Sequence, residues 1–218
     1  IHQRGMKLIL DLVVNHTSDE HPWFIESKSS KTNAKRDWYI WADPKPDGSE
    51  PNNWESIFNG STWEFDESTK QYYFHLFSKK QPDLNWENPD VRQAVFEMMN
   101  WWFEKGIDGF RVDAITHIKK NFEAGDLPVP DGKKFAPAFD VDMNQPGIQE
   151  WLQEMKDKSL SRYNIMTVGE ANGVTPNDAE EWVGEEKGKF NMIFQFEHLG
   201  LWSTGDTKFD VKSYKQVL

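Results

Sequence analysis

Short apolar runs alternate with amphipathic stretches along most of this 218-residue chain. The apolar runs predict strands at 6–14, 107–113, 165–170 and 191–196. Cap residues and helical spacing predict helices at 88–106, 145–162 and 175–186. Continuous apolar runs are typical of buried parallel strands, and strands that alternate with helices predict an α/β fold with a parallel sheet.

Residues 17–82 lack this alternation and are polar, with many Trp, Pro, Asn and Ser residues. Only short pieces such as 72–77 resemble strands. Because a loop of this length is uncommon in a compact domain, the segment predicts an inserted subdomain. Tryptophans at 86, 101 and 102 are expected in the core, whereas the tail after residue 200 is weakly patterned.

Polar side chains gather where the predicted strands end, with Asn15 and His16 after the first strand, Asp113 after the second and Glu170 after the third. A (β/α) barrel places its active site at this end of its strands. A doubly wound open sheet is the alternative. No Gly-rich phosphate loop follows any strand, which disfavours the nucleotide-binding version of the open sheet.

Two of these strand ends each carry one carboxylate, Asp113 and Glu170, and together these form a candidate pair. Side chains alternate along a strand, so Arg111 and Asp113 share one face, where the guanidinium stabilises the charged form of the aspartate. An ionised Asp113 suits a nucleophile, and Glu170 would be the partner that carries a proton. Two carboxylates in unlike environments are the groups that break glycosidic bonds. Only adjacent strand ends could bring them together.

Composition narrows the partners and the compartment. The 25 basic and 36 acidic residues give a net charge of −11, which argues against nucleic acid and against an anionic membrane surface. The chain has no cysteine, so it can form neither disulfides nor a thiolate metal site, and this favours a reducing, cytoplasmic compartment. No apolar run approaches bilayer length. The opening residues 1–5 look like the end of a helix closed by Gly5, which predicts an internal fragment of a longer protein.

Four ordered segments carry a resemblance to a known family: Asp11-Leu12-Val13-Val14-Asn15-His16, Gln81-Pro82-Asp83-Leu84-Asn85-Trp86, Gly109-Phe110-Arg111-Val112-Asp113-Ala114-Ile115 and Val168-Gly169-Glu170. With them the chain resembles the α-amylase superfamily of glycoside hydrolases, in its bacterial α-glucosidase and oligo-1,6-glucosidase branch. The resemblance implies part of a (β/α)8 TIM barrel, from about its third to its sixth strand, with a domain B inserted after the third.

In family terms, 1–16 is the region of the third barrel strand, 17–82 is domain B, and 83–218 continues the barrel. The start of the barrel and the family's fourth signature have no counterpart here. The missing barrel segments of the same parent chain are therefore expected partners, and the fragment is expected to be inactive alone.

The resemblance also implies roles for particular residues. Asp113 is the nucleophile of a retaining mechanism, and Glu170 is its acid/base. Substrate binding is expected at His16, which would donate a hydrogen bond to the innermost sugar, and at Arg111, which would also steady the nucleophile. The carboxyl groups of Asp113 and Glu170 would stand roughly 5–5.5 Å apart.

Two residues after the nucleophile are expected to touch substrate as well. His117 matches a position that contacts the sugar on the leaving side. At the position of Ala114, valine accompanies α-1,6 preference in this branch, and smaller residues accompany tolerance of α-1,4 bonds. The residue that matches Asn15 binds calcium in some relatives, but its companion ligands are not evident here. We therefore predict no metal and no cofactor.

The expected activity is that of an exo-acting α-glucosidase on short oligosaccharides of the maltose or isomaltose type. A transglycosylase or isomerase, such as a trehalose synthase or a sucrose isomerase, would share both carboxylates. A phosphorylated-disaccharide hydrolase is a further alternative, although no basic cluster supports it. A non-catalytic binding relative would typically have lost a carboxylate. The sequence leaves the linkage and the chain length of the substrate open.

Overall fold

A computed structural model describes residues 1–202 and 211–216 of the chain. They form two compact units. The first comprises Ile1–Val13, Val95–Ile118 and the described part of Met143–Leu218. The second comprises Val14–Ala94 and Lys119–Asp142. Each unit contains a β-sheet of its own.

The sheet of the first unit is parallel and four-stranded. It consists of β1 (Ile9–Val13), β5 (Gly109–Asp113), β6 (Met166–Glu170) and β7 (Met192–Phe194), in that spatial order. All four strands lie within the apolar runs that predicted them. The parallel α/β class is therefore confirmed, although each strand is shorter than its apolar run.

Register places the polar strand residues on one face. Asp11 pairs with Arg111 and Val13 with Asp113, while the neighbouring Leu12 and Val112 are buried on the opposite face. Gly109 opens β5 because a Cβ there would stand 1.8 Å from the carbonyl oxygen of Met166. The glycine thus permits the close approach of β5 and β6 that brings their carboxyl ends side by side.

The second unit holds a small antiparallel sheet in the order β2-β4-β3, made of β2 (Trp41–Ala42), β3 (Trp63–Asp66) and β4 (Gln71–Phe74). Its core is aromatic and includes Trp54, Trp63, Phe74, Leu76 and Ala138. The long polar stretch after the first strand is therefore folded, as its length predicted.

The Pro- and Gly-rich segment 119–142 also belongs to this second unit. The Trp54 indole Nε1 donates to the Gly125 carbonyl oxygen at 2.8 Å, and the ring of Phe122 stacks on Trp54 with centroids 5.2 Å apart. A segment that resembled a loop in the sequence thus completes the core of the second unit. The division of the chain into 1–16, 17–82 and 83–218 stays a prediction.

The α-helices of the described residues are α1 (Pro22–Ser29), α2 (Pro89–Glu104), α3 (Phe139–Asp142), α4 (Ile148–Lys158), α5 (Ala179–Val183) and α6 (Val211–Gln216). The prediction of α2 is confirmed. The Asn88 side-chain oxygen accepts from the backbone N–H of Asp90 at 2.9 Å, and Gly106 has the positive φ of a helix terminator. Among these residues, no helix has the length and apolar composition needed to cross a membrane.

The expectation that Trp101 and Trp102 are core residues is wrong, whereas Trp86 is buried as predicted. Trp101 is 50% exposed and Trp102 37% exposed. The buried stripe of α2 repeats every fourth residue and ends on Phe103, whose ring contacts Phe110 at 4.8 Å. At 100° per residue, Trp101 therefore lies on the opposite face of the helix.

The third predicted helix is much shorter than its pattern. Thr175 donates to the Asp178 carboxylate through both its backbone N–H (3.0 Å) and its hydroxyl (2.7 Å), so the first predicted turn of this helix is a side-chain-closed loop. Helix α5 begins only at Ala179 and ends before Gly184. The short α6 was not predicted, and the rest of the weakly patterned tail, 203–210 and 217–218, lies outside the described residues.

Candidate active site

One arginine joins three carboxylates on the polar face of the parallel sheet. The Arg111 guanidinium donates to Asp11 at 2.9 Å and also to Asp113 and Glu170. Because Val112 pairs with Gly169 in the ladder, Asp113 and Glu170 follow at the adjacent ends of β5 and β6. The structure thus brings together the two residues that the sequence proposed as a carboxylate pair.

The environment of Glu170 favours its protonated form. Burial raises the pKa of the Glu170 carboxyl above its usual range, and the neighbouring Asp113 carboxylate raises it further. The Arg111 guanidinium opposes both effects but does not cancel them. A carboxyl whose pKa is raised beside a second carboxylate has the properties of a general acid.

The arginine itself is held as a cation. Burial lowers the pKa of Arg111, but hydrogen bonds with Asp11 and Asp113 and the charge of Glu170 raise it by more. Asp11, which sequence analysis did not select as a site residue, is therefore part of the cluster. The parallel register, which puts it opposite Arg111, was the signal that could have identified it.

The chain bends sharply after Asp113. Ala114 has φ 44° and ψ 33°, in the left-handed region that residues other than glycine seldom adopt. This bend turns the backbone N–H of Ala114 towards the Glu170 carboxylate, at 3.5 Å. His117 follows in the 3₁₀ turn Ile115–His117 and is buried. Its expected contact with substrate stays a prediction.

His16 belongs to the second unit, where it has its own polar neighbours. Its Nε2 is 2.8 Å from the Gln81 amide nitrogen and its Nδ1 is 3.3 Å from the Asn15 amide nitrogen. Its ring also contacts Phe77, with centroids 5.2 Å apart. Phe77 in turn contacts Phe58, which is 62% exposed. Sequence analysis did not select this aromatic pair, and an exposed phenylalanine between Ile57 and Asn59 leaves no pattern from which to predict it.

A buried ion pair lies behind His16. The ammonium group of Lys120 is 2.6 Å from the Asp83 carboxylate, and the two side chains are 2% and 0% exposed. Lys120 also donates to the Asn15 side-chain oxygen at 2.9 Å, and Asp83 accepts from the Asn15 amide at 2.9 Å. The sequence offered no hint of this, because a single lysine in a polar loop is usually solvated.

We expect Lys120→Met to destabilise the protein by about 3–5 kcal/mol, because it leaves the Asp83 carboxylate buried without its partner. Lys119→Met is the matched control. Lys119 pairs with Glu87 at 2.8 Å, but with side chains 20% and 66% exposed, so its loss should cost less than about 1 kcal/mol. Urea unfolding of both variants in the full-length protein measures the difference. Equal losses would contradict the importance given to the buried pair.

No group of three or more His, Cys, Asp or Glu side chains within 1–202 and 211–216 is placed to hold a metal ion. The Asn15 side-chain oxygen accepts a hydrogen bond from the Lys120 ammonium group instead. The absence of a metal and of a cofactor from this segment stays a prediction.

The fold and the cluster together define a class. Acidic residues that meet at the carboxyl ends of neighbouring parallel strands, each linked to the next by a helix, are typical of the active-site end of a (β/α)8 barrel. The chain belongs to the alpha-amylase family, because that family's model, described as alpha amylase, catalytic domain, matches residues 1–217. The four-stranded sheet is therefore part of a (β/α)8 barrel, and the predicted family is confirmed.

Individual relatives agree with this assignment. The chain is 61% identical over 219 residues to probable oligo-1,6-glucosidase 3 of Bacillus subtilis (strain 168), covering 100% of this chain and 39% of that protein. The structure of Bacillus licheniformis trehalose-6-phosphate hydrolase matches with a TM-score of 0.87 at 45% identity, over 99% of this chain and 39% of that one. The isomaltulose synthase of Protaminobacter rubrum matches with a TM-score of 0.87 at 38% identity, with the same coverage. The chain thus spans about two fifths of the length of these proteins.

Proposed function

We propose that this chain is part of a retaining, exo-acting α-glucosidase that hydrolyses α-1,6 bonds, α-1,4 bonds or both in short oligosaccharides. The observation that carries the proposal is the pairing of Asp113 with a Glu170 whose pKa is raised, on adjacent strand ends and around one arginine. The relative that is 61% identical is named an oligo-1,6-glucosidase, which supports the same class of substrate.

The chemistry assigned to these residues has two steps. The Asp113 carboxylate attacks the anomeric carbon while Glu170 gives its proton to the glycosidic oxygen, so the leaving sugar departs as an alcohol. The Glu170 carboxylate then takes a proton from water, whose oxygen attacks the same carbon and releases Asp113. Two inversions retain the configuration. Throughout, Arg111 donates to the Asp113 carboxylate and limits the rise in the pKa of Glu170.

Substrate contacts are proposed for the residues that the family resemblance selected, Arg111, Ala114, His117 and His16. Arg111 donates to the nucleophile, and Ala114 and His117 follow it in the chain. His16 would donate a hydrogen bond to a sugar hydroxyl, and Phe58 and Phe77 offer aromatic surface for the apolar face of a sugar ring. The chain alone, whose sheet has the open edges β1 and β7, is proposed to be inactive without the remaining barrel segments. We also propose a cytoplasmic location, based on the absence of cysteine.

Two other activities of the same family compete with this proposal. The matched isomaltulose synthase favours an isomerase, in which the departing sugar instead of water attacks the glycosyl-enzyme. The matched trehalose-6-phosphate hydrolase favours a phosphorylated disaccharide. Incubating the full-length protein with maltose, isomaltose, sucrose and trehalose 6-phosphate separates the three. Glucose from the first two supports the proposal, whereas a rearranged disaccharide from sucrose, or cleavage of the phosphorylated sugar alone, would replace it.

Linkage preference is expected to respond to the residue after the nucleophile. We expect Ala114→Val to raise the ratio of isomaltose to maltose hydrolysis by roughly 10-fold or more, since methyl-scale changes in a pocket are worth about 1–3 kcal/mol. It should also lower the absolute rate, because a β-branched residue is strained at φ 44°. Initial rates on both disaccharides measure the ratio.

Ala114→Gly is the matched control for this prediction. Glycine adopts the same positive φ without strain and adds no bulk. The glycine variant should therefore keep the wild-type ratio or shift it towards maltose. If the two variants changed the ratio equally, side-chain volume would not control linkage, and the role assigned to Ala114 would be wrong.

A further inference from the structure

The hydrogen bonds around His16 conflict with one another as they stand. Amide nitrogens approach both of its ring nitrogens: that of Asn15 lies 3.3 Å from Nδ1 and that of Gln81 lies 2.8 Å from Nε2. A neutral imidazole accepts a hydrogen bond through only one nitrogen and carries a proton on the other. One of the two amides must therefore present its oxygen to the ring instead.

Asn15 is held in its orientation by charges. Its oxygen accepts from the Lys120 ammonium at 2.9 Å, and its nitrogen donates to the Asp83 carboxylate at 2.9 Å. Turning the amide over would aim N–H groups at the ammonium and the oxygen at the carboxylate. The contact with Asp83 is buried and the contact with Lys120 is partly buried, and both are charge-assisted bonds, which are about twice as strong as neutral ones.

Asp83 is itself held in place. Its second oxygen accepts from the backbone N–H of Leu76 at 2.9 Å. The backbone segments that carry Asn15 and Asp83 also pair, since the Leu84 N–H donates to the Asn15 carbonyl oxygen at 2.9 Å. The Asn15 amide has two N–H groups, so while one is used by Asp83 the other is available for His16.

Gln81 is held far less firmly. Its amide oxygen accepts from the backbone N–H of Ser78 at 3.2 Å, a neutral and partly buried contact that water can replace. The orientation of such an amide follows from the hydrogen-bond network around it. Because the charged network outweighs this single neutral bond, Gln81 is the amide that turns and presents its oxygen to His16.

We propose that the buried Lys120–Asp83 pair fixes the orientation of Asn15, and that Asn15 thereby keeps His16 in the neutral tautomer protonated on Nε2. Nδ1 then accepts from the Asn15 amide, and in the protein without substrate Nε2–H donates to the Gln81 side-chain oxygen. Lys120 is a positioning residue in this scheme. The inference rests on the proposed function in one respect. When substrate binds, Gln81 releases the His16 Nε2–H, which then donates to a sugar hydroxyl.

The test is nitrogen-15 NMR of the imidazoles in the full-length protein labelled at histidine, because the two neutral tautomers have distinct nitrogen shifts. The His16→Gln spectrum assigns the signal. The expected result is a neutral His16 protonated on Nε2. A His16 protonated on Nδ1 would overturn the proposal.

Two variants separate the amides that compete for the ring. Asn15→Asp replaces the donor with an acceptor of the same shape, so protonation should move to Nδ1 and KM should rise more than kcat falls. Gln81→Leu should leave the proton on Nε2. If instead Gln81→Leu moved the proton and Asn15→Asp did not, Gln81 would be the controlling residue and the proposal would fail.

The spectrum is recorded without substrate, so it does not depend on catalysis. If His16 has the expected tautomer but the protein hydrolyses no glucoside, only the proposed function is contradicted. Glucosidase activity in a protein whose His16 is protonated on Nδ1 would contradict this inference alone.

Discussion

Asp113→Asn is expected to lower glucose release from maltose and isomaltose by on the order of 10⁴-fold or more, while leaving the fold unchanged. An amide is too weak a nucleophile to form the glycosyl-enzyme, and removal of a nucleophile typically has effects of this size. The change preserves shape and one acceptor oxygen for Arg111. Initial rates of the full-length protein, with circular dichroism and thermal unfolding of the same samples, measure both parts of the prediction.

Asp11→Asn is the matched control for this variant. It removes one negative charge from the same arginine, whose contact with Asp11 is 2.9 Å, but from a residue with no proposed bond to substrate. The loss of activity should be far smaller. Near-normal activity of Asp113→Asn, or equal losses in the two variants, would exclude Asp113 as the nucleophile.

Glu170→Gln is expected to have the second-largest effect, and one that depends on the leaving group. Hydrolysis of maltose should fall by roughly 10²–10⁴-fold, because its leaving alcohol needs a proton from the enzyme. A p-nitrophenyl α-glucoside has a leaving group that departs without that proton. Its first turnover should therefore remain rapid and be followed by a slow phase, since no base activates water to release the glycosyl-enzyme.

Stopped-flow measurement of nitrophenol release detects this burst. Asp113→Asn, which cannot form the glycosyl-enzyme, should show none and serves as the control. A burst in Asp113→Asn together with none in Glu170→Gln would mean that the two roles are reversed.

The pH dependence follows from the same residue. Burial, followed by the Asp113 charge, raises the pKa of Glu170, so its acid form persists to higher pH than that of an ordinary glutamate. kcat/KM for maltose should then decline as the pH rises through this raised pKa, because the proton donor is lost. In Glu170→Gln the group no longer titrates, so the residual kcat/KM for maltose should lose this alkaline decline.

Much of the first unit could be predicted because the signals are local. Apolar runs identified all four strands of the parallel sheet, and a side-chain cap and a terminating glycine identified α2. Alternation along β5 put Arg111 and Asp113 on one face, a relation that needs no knowledge of the rest of the chain. The candidate carboxylates were found for the same reason, since both close strands with strong apolar patterns.

Predictions went wrong where a local preference met a competing one. Thr175 and Asp178 closed a side-chain turn where helical spacing predicted the first turn of a helix. Trp101 is exposed although indoles favour the interior, because the stripe of α2 that ends on Phe103 already supplies the buried face. Hydrophobicity by itself does not say which face of a helix is covered.

The sequence by itself determined the class of fold through periodicity and the family through four short motifs, and it proposed the two carboxylates, because these signals come from residues close together in the chain. Only the tertiary structure decided which distant groups share a charge or a proton. The guanidinium of Arg111 between Asp11 and Glu170, and the Lys120–Asp83 pair behind Asn15, join residues from separate segments. Such pairs depend on strand register and on burial, and a lysine or an aspartate in a polar stretch has the same local sequence whether it is solvated or enclosed.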